Sequence, residues 1–254
     1  MHSIAFKLGP LTIHWYGIFV ALGFLAGFWT AGRRAPRERI TANLVYDLVP
    51  WLVVGGILGA RSLYVFSYWQ EEFAGKPFTE IFMIQKGGIV FYGGLIGAML
   101  AALIFVRWKK LPLWKLADIL APSIALGYAF GRLGCLMNGC CYGRACDLPW
   151  AIHFPVAHAT HGLPVHPTQI YDALLNTAFY AFLAWQFRHK KFDGQVFATY
   201  LIGYAFLRSF VEFFRGDYPV HYLGATPAQL VSIGIVAGGI LLWYLLPRPV
   251  VKQG

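Results

Sequence analysis

The chain has 254 residues, of which 58% are hydrophobic, 17% aromatic and only 13% charged, and its mean hydropathy is +0.56. An ordinary soluble domain carries about 25% charged residues, so this composition predicts an integral membrane protein. The net charge of +10 does not indicate a nucleic-acid partner. The lysines and arginines stand in short clusters between apolar runs, which is typical of membrane topology rather than of a binding surface.

Seven apolar segments approach the length of about 20 residues that crosses a bilayer as a helix. The sequence therefore predicts an all-α integral membrane protein, a single transmembrane domain over residues 1–254 with seven transmembrane helices. The segments cover residues 12–32, 47–69, 88–107, 116–137, 169–187, 195–214 and 226–246. The first segment is too long for a cleavable signal peptide, and no small-residue cleavage site follows it.

Basic clusters follow the first, third, fifth and seventh segments, while the alternate loops are poorer in lysine and arginine. The positive-inside rule then predicts an outer N-terminus and a cytoplasmic C-terminus. Two segments between spans are expected on the outer face, a small head at residues 138–168 and an arm at residues 70–86. Neither shows an internal repeat or low-complexity character.

The sixth segment contains YAFLRSFVEFFR, which spaces Tyr204, Arg208, Glu212 and Arg215 at steps of four, four and three residues. This spacing stacks them on one face of a helix, and such a stripe must face protein or a water-filled cavity. One interpretation is an intrahelical ion pair that only stabilises the bundle. The other is the polar wall of a cavity, in which Glu212 orients one guanidinium and leaves another for an anionic ligand.

A second cation lies in GRLGCLMNGCCYG, residues 131–143, where Arg132 stands at the outer end of an apolar helix. An arginine donates two parallel hydrogen bonds to phosphate and stays charged. Two or three arginines converging near the outer interface would suit a phospholipid headgroup. The alternative for Arg132 alone is that its side chain reaches the interface without binding a ligand.

Three further stretches place polar side chains near the outer ends of helices. In KGGIVFYGGLIG, the glycines indicate close helix packing, with Tyr92 as a possible cavity hydroxyl. HPTQIYDALLN begins the fifth span and brings His166 and Gln169 to its outer end. TIHWYG puts Tyr16 at the outer interface, where aromatic side chains are common.

All four cysteines lie between residues 135 and 146: Cys135, Cys140, Cys141 and Cys146. On the outer face a disulfide that braces this loop is favoured. Because Cys140 and Cys141 are adjacent, they make a poor tetrahedral zinc set, and no CxxC pair is present. We therefore expect no metal and no cofactor, and a thiol-redox protein is a weaker alternative.

Taken together, these segments resemble the prolipoprotein diacylglyceryl transferase family. The resemblance covers most of the chain in order. It rests on LGPLTIHWYGIFVALGF, GARSLYVF, GGIVFYGGLIG, GRLGCLMNGCCYG, HPTQIYDALLN and YAFLRSFVEFFRGD. It implies a seven-helix enzyme of the bacterial inner membrane that acts on its outer, periplasmic side. Such an enzyme transfers the diacylglyceryl group of phosphatidylglycerol to the lipobox cysteine in a prolipoprotein signal peptide, forming a thioether and releasing glycerol phosphate.

The resemblance also implies roles for particular residues. Arg132 corresponds to the arginine that holds the lipid phosphate, and Arg208 to an essential arginine of the sixth span. The expected catalytic residues are Arg208, Tyr92, Glu212 and Tyr16. The expected substrate-binding residues are Arg132, Asn138, Gly143, Tyr204, Arg215, His166 and Gln169. The expected partners are phosphatidylglycerol, the signal peptide and the surrounding membrane lipids.

The chain departs from the family pattern at three positions. Tyr92 stands where many members have a histidine proposed as base or orienting group, Cys135 where asparagine is usual, and Cys140 where glutamate is frequent. A tyrosine with a pKa near ~10 is a poor base at neutral pH. One hypothesis is that Tyr92 lies close to Arg132 or Arg208 and hydrogen-bonds the headgroup. The departures leave two alternatives, a paralogue with another substrate and a non-catalytic phospholipid-binding protein.

Overall fold

The computed structural model describes residues 4–9, 11–83, 87–216 and 226–247. Within these ranges the chain forms seven long α-helices, and five of them, α1 to α4 and α7, are long and apolar enough to cross a membrane. The helices are α1 (Trp15–Arg34), α2 (Ala42–Ser67), α3 (Phe91–Trp108), α4 (Leu113–Asn138), α5 (Thr168–Arg188), α6 (Gln195–Glu212) and α7 (Pro227–Leu245).

Each predicted apolar segment is therefore a helix, and the ends agree to within about five residues. Helices α5 and α6 are less apolar because they carry polar side chains such as Asp172 and Arg208. Large apolar side chains lie exposed on the other helices, for example Leu25 at 70% and Phe66 at 82%. Such an extensive apolar surface is expected where lipid covers the protein.

The prediction of an all-α protein needs one correction outside the long helices. Two short antiparallel strand pairs are present, which the sequence patterns do not predict. Strand β1 (Ile4–Leu8) pairs with β2 (Leu11–His14) directly before α1. Strand β3 (Ile152–His153) pairs with β4 (Pro164–Val165) within the predicted head segment. The head is thus a folded element, held by backbone pairing rather than by a helix.

The chain divides into two compact units, residues 34–116 and residues 1–33 together with 117–254. In the unit of residues 34–116, α2 and α3 pack through glycines. A Cβ on Gly59 would lie 2.8 Å from the Cα of Gly97, and one on Gly55 would lie 2.8 Å from the Gly97 carbonyl oxygen. The predicted packing role of the glycine-rich stretch is therefore confirmed.

The predicted arm belongs to the same unit and is anchored by Arg61 of α2. This guanidinium is buried and donates hydrogen bonds to five carbonyl oxygens, those of Glu80 (2.8 Å), Ile81 (2.8 Å), Met83 (3.5 Å), Gly87 (2.8 Å) and Gly88 (2.9 Å). Residues 84–86 of the arm lie outside the described residues. The arginine inside the second predicted span therefore holds the chain that follows the span.

In the other unit, α1 and α4 approach closely at small residues. The hydroxyl of Ser123 in α4 donates to the carbonyl oxygen of Gly27 at 2.6 Å, and Thr30 Oγ1 lies 3.0 Å from the same hydroxyl. A Cβ on Gly23 would lie 3.0 Å from Phe130 Cβ. These contacts fix α4, whose last turns carry the stretch of residues 131–143.

A buried carboxylate near the start of α4 fixes the start of α6. Asp118 accepts hydrogen bonds from the backbone N–H groups of Gly194 (2.8 Å) and Phe197 (3.0 Å) and pairs with Lys190 Nζ at 2.8 Å. Lys190 also lies 3.0 Å from Asp193. We call these four groups, Asp118, Lys190, Asp193 and the α6 N-terminus, the Asp118 network. It satisfies helix N–H groups that would otherwise lack partners.

Candidate active site

Arg132 lies in the last two turns of α4 and is held by two side chains. Its Nε atom lies 3.0 Å from Asp172 Oδ2 in α5, and its Nη2 donates to the hydroxyl of Tyr128. The guanidinium carbon also lies 4.7 Å from the centre of the Tyr128 ring. Because the Arg132 side chain is only 12% exposed, the guanidinium lies within protein, which argues against simple extension to the interface.

The predicted stripe on α6 forms a shared ion pair at the end of that helix. Arg208 Nη1 hydrogen-bonds Glu212 Oε2, and Arg215 Nη1 lies 3.7 Å from the same oxygen. Glu212 is buried. The intrahelical pair that the sequence allowed is present, but one carboxylate serves two guanidinium groups.

Asp172 joins the two sets of arginines. Its side chain is 2% exposed, and it interacts electrostatically with Arg132, Arg208 and Arg215. Together with Glu212, these residues place three guanidinium groups around two carboxylates. We call these five residues the arginine cluster. The cluster thus gathers three guanidinium groups, which are the donors that suit an anionic group.

The backbone of Gly143 explains how the end of α4 reaches α5 and α6. Its N–H donates to the carbonyl oxygen of His166 at 3.0 Å, and it forms a backbone bridge with Arg215. A Cβ on Gly143 would lie 2.6 Å from the His166 carbonyl oxygen and 2.8 Å from that of Phe214. Only glycine fits between the two backbone segments that carry His166 and Phe214. Gly143 therefore has a structural role beside the arginine cluster.

The loop after α4 is held by buried side chains at the start of α5. Gln169 Nε2 donates to the Cys140 carbonyl oxygen and Thr168 Oγ1 to the Cys141 carbonyl oxygen, both at 2.7 Å. Gln169 is fully buried, and its Oε1 has no hydrogen-bond partner among the described residues. Gln169, predicted as a binding residue, thus positions the cysteine loop.

The four cysteines are free thiols in the structure, so the favoured disulfide is not formed. The sulfur atoms of Cys135, Cys140 and Cys141 all lie within 4.8 Å of one another, whereas Cys146 lies outside this group. Hydrogen bonding from Cys135 and Cys140 lowers the pKa of the Cys141 thiol, and the charges of Arg132 and Arg215 lower it further. The cysteines therefore adjoin the arginine cluster.

Two of the other predicted residues also lie by this loop. Asn138, the last residue of α4, lies near the Cys140 thiol and favours its ionised form. Tyr16 is 46% exposed, and its ring faces Gly134, where a Cβ would lie 3.1 Å from Tyr16 Cδ2. Tyr16 also interacts electrostatically with Arg132 and with the three clustered cysteines. Both residues thus border the loop and the arginine cluster.

His166 and Tyr204 have aromatic surroundings. His166 Nδ1 lies 3.2 Å from the hydroxyl of Tyr171, and its ring packs edge-on against Phe214. The Tyr204 ring meets Tyr128 edge-on with centroids 5.6 Å apart. Tyr204 thus supports the tyrosine that binds Arg132.

Tyr92 lies at the start of α3, in the unit of residues 34–116. It is 65% exposed, and its ring packs edge-on against Phe91. Its proposed hydrogen bond to a lipid headgroup remains a prediction.

Asp172 of the arginine cluster and Tyr128, the hydrogen-bond partner of Arg132, are absent from the predicted site. Tyr128 precedes Arg132 by four residues, the same spacing that links Tyr204 to Arg208, so this signal was available in the sequence. For Asp172, the only signal in the sequence was its position at the predicted outer end of a span. Its pairing with Arg132 depends on how α4 and α5 pack, which the spacing of residues along either helix does not specify.

The helices and the arginine cluster define a class of protein, a helical membrane protein with several mostly buried arginines held by carboxylates. The family model described as prolipoprotein diacylglyceryl transferase matches residues 3–245. The chain belongs to this family.

Curated relatives match over nearly their whole length. A protein of Finegoldia magna is 37% identical over 100% of this chain and 99% of its own. A protein of Bordetella bronchiseptica is 38% identical over 97% and 95%, and one of Trichormus variabilis is 39% identical over 96% and 90%. All three are named phosphatidylglycerol–prolipoprotein diacylglyceryl transferase.

Proposed function

We propose that this protein transfers the diacylglyceryl group of phosphatidylglycerol to the thiol of a lipobox cysteine in prolipoproteins. Membership of the family and the names of the full-length relatives support this reaction. The thiolate attacks the glyceryl carbon, a carbon–sulfur bond forms, and the carbon–oxygen bond to phosphate breaks. Glycerol phosphate leaves with the bonding electron pair. The protein is a transferase, and the nucleophile belongs to the substrate.

The observation that carries the proposal is the charge of the arginine cluster. The phosphodiester of phosphatidylglycerol has one negative charge, and the arginines held beside Asp172 and Glu212 supply the guanidinium donors that suit it. As the bond to phosphate breaks, negative charge grows on the leaving group. Arginines already held by carboxylates stabilise this charge without reorganising. Glu212 orients Arg208, and Asp172 with Tyr128 orients Arg132.

The remaining predicted residues have supporting roles in this proposal. Arg215 belongs to the arginine cluster, and Tyr204 packs beside it. The loop next to the cluster is held by Gly143, Gln169, Asn138 and His166. We assign Tyr16 to the substrate thiol and Tyr92 to the lipid headgroup. The basic loops support an outer N-terminus, a cytoplasmic C-terminus and seven spans in the inner membrane, with the arginine cluster toward the outer side.

The test is transfer from labelled phosphatidylglycerol to a lipobox peptide by the detergent-purified protein. Arg132→Ala and Arg208→Ala are each expected to lower kcat by about 10²–10³-fold, the loss that follows removal of a donor to a developing negative charge. Arg188→Ala is the matched control, because Arg188 is exposed at the opposite end of α5. Full transfer by both site variants would contradict the assignment. Lipid binding without transfer by the wild type would support a non-catalytic protein instead.

Tyr92→Phe tests the proposed hydroxyl separately. If the hydroxyl contacts the headgroup, its removal is expected to raise KM for phosphatidylglycerol by about 10-fold or more, since a hydrogen bond to a charged group contributes about 1.5–3 kcal/mol. Unchanged kinetics would remove Tyr92 from the site.

A further inference from the structure

We propose that Cys135, Cys140 and Cys141 form a site for one zinc ion whose remaining ligand is the substrate thiol. The three sulfur atoms lie within 4.8 Å of one another, and none is in a disulfide. Thiolates bound to one zinc at about 2.3 Å lie about 3.8 Å apart in a tetrahedral site. Small side-chain rotations therefore bring these sulfurs to zinc-binding distance.

The backbone explains how adjacent cysteines share one centre, which their spacing in the sequence argued against. Gly139 has φ +75° and Cys141 has φ +62°, so the chain turns sharply on both sides of Cys140. A left-handed conformation at a residue with a side chain costs about 1–2 kcal/mol. The hydrogen bonds from Gln169 and Thr168 to the Cys140 and Cys141 carbonyl oxygens hold this turn. The site is therefore built before any metal binds.

The chemistry of the ligands selects the ion. Thiolates favour thiophilic metals such as zinc, whereas magnesium and calcium take oxygen ligands.

Three protein ligands leave one tetrahedral position for another group, as in catalytic zinc sites. His158 does not supply it, because its Nε2 lies 2.6 Å from the Gly139 carbonyl oxygen and its Nδ1 lies 3.1 Å from Thr160 Oγ1. We assign this position to the lipobox cysteine, an assignment that rests on the proposed function. A thiol that binds zinc loses its proton, here to water, and becomes the reactive thiolate.

Binding to zinc accounts for how the substrate thiol loses its proton. The reaction requires a thiolate, while Tyr92 is a poor base at the position where histidine is usual. The attacking sulfur leaves the metal as it forms the bond to the glyceryl carbon, and the bond from that carbon to the phosphate oxygen breaks. No oxidant or reductant takes part.

The first experiment measures zinc itself on the full-length protein in detergent. After purification with a reductant and removal of metal by chelation, zinc is added and the bound metal is determined. The wild type is expected to bind one zinc per chain. Cys135→Ser, Cys140→Ser and Cys141→Ser should each weaken binding by more than about 100-fold, the upper end of what loss of an outer-sphere partner costs. Cys146→Ser, the matched control outside the cluster, should bind normally.

Two results would overturn the site. One is equal zinc binding by the wild type and the triple serine variant, each with a cooperative unfolding transition. The other is a disulfide among the three cysteines in protein isolated from its membrane and alkylated without reductant. A comparison of metal-free with zinc-loaded wild type is independent of any folding defect in the serine variants, because both samples have the same sequence.

The second experiment compares transfer to a lipobox peptide by zinc-loaded and metal-free wild type. Loading is expected to raise kcat by about 10²-fold, within the range for assisted proton transfer. Equal rates would overturn the assignment of the substrate thiol to zinc. One bound zinc per chain without transfer in either form would overturn the proposed function and leave the metal site standing, since metal binding is measured without substrate.

Discussion

Helix α4 carries a charged group near each of its ends, and the two have different surroundings. Asp118 lies near its start and Arg132 near its end, about 21 Å apart along the axis at 1.5 Å per residue. The Asp118 network pairs a fully buried carboxylate with one ammonium and two backbone N–H groups. At the other end, the arginine cluster places three guanidinium groups around two carboxylates.

This difference separates a structural network from a binding site. The Asp118 carboxylate has donors for both oxygens and a positive helix terminus beside it, so it needs no ligand. The arginine cluster instead gathers three guanidinium groups at mostly buried positions, and buried charged groups in a membrane protein typically mark a functional site. We expect substitutions in the Asp118 network to change stability and substitutions in the arginine cluster to change the rate of diacylglyceryl transfer.

The largest effect is expected from Arg132→Lys, which keeps the charge but loses the planar fork that serves Asp172 and Tyr128 together. A lysine cannot reproduce bidentate donation. Transfer from labelled phosphatidylglycerol should fall by about 10²–10³-fold in kcat. Arg188→Lys is the control. Retention of full transfer would show that the cluster supplies charge alone.

At the other end of α4, Asp118→Asn should change stability instead. The substitution removes the carboxylate that pairs with Lys190 and caps α6. Breaking a buried ion pair costs about 3 kcal/mol or more, which lowers the unfolding midpoint by several degrees. Thermal unfolding in detergent measures the shift, and kcat of the folded fraction should match the wild type. A loss of kcat without loss of stability would contradict the distinction between the two ends.

The sequence predicted the parts of this arrangement that depend on local pattern. The seven helices follow from apolar runs, and the α6 stripe follows from the repeat of the helix. The packing role of the glycines in α3 followed from their density in the stretch KGGIVFYGGLIG. In each case, the residues that determine the feature lie within a few positions of one another in the sequence.

Contacts between distant segments were not predictable in the same way. Asp172 pairs with Arg132 because α5 packs beside α4, and Gly143 is required because three segments meet at one residue. The cysteines were assigned to a disulfide because their loop was predicted on the outer face, and the adjacency of Cys140 and Cys141 argued against a shared metal. Their convergence depends on the left-handed conformation of Cys141, which its residue type does not favour.

A smaller effect is expected from Gly143→Ala, compared with Gly131→Ala in the same stretch. The added methyl at residue 143 meets two carbonyl oxygens, whereas nothing lies within 4 Å of a Cβ on Gly131. Overpacking should cost about 1–2 kcal/mol at residue 143. At residue 131, alanine in a helix should stabilise by about 0.5–1 kcal/mol. Unfolding midpoints measure both, and equal midpoints would refute the close approach at Gly143.

The smallest effect is expected from Asp193→Asn, within the Asp118 network. Asp193 also pairs with Lys190, at 3.0 Å, but its side chain is 46% exposed, whereas that of Asp118 is fully buried. An exposed pair contributes about 0.2–1 kcal/mol, so the unfolding midpoint should move by only about 1–2 °C. Combining Asp193→Asn with Asp118→Asn sharpens the test. Because both carboxylates pair with Lys190, their effects should be non-additive by about 0.5 kcal/mol, whereas strict additivity would show that they act independently.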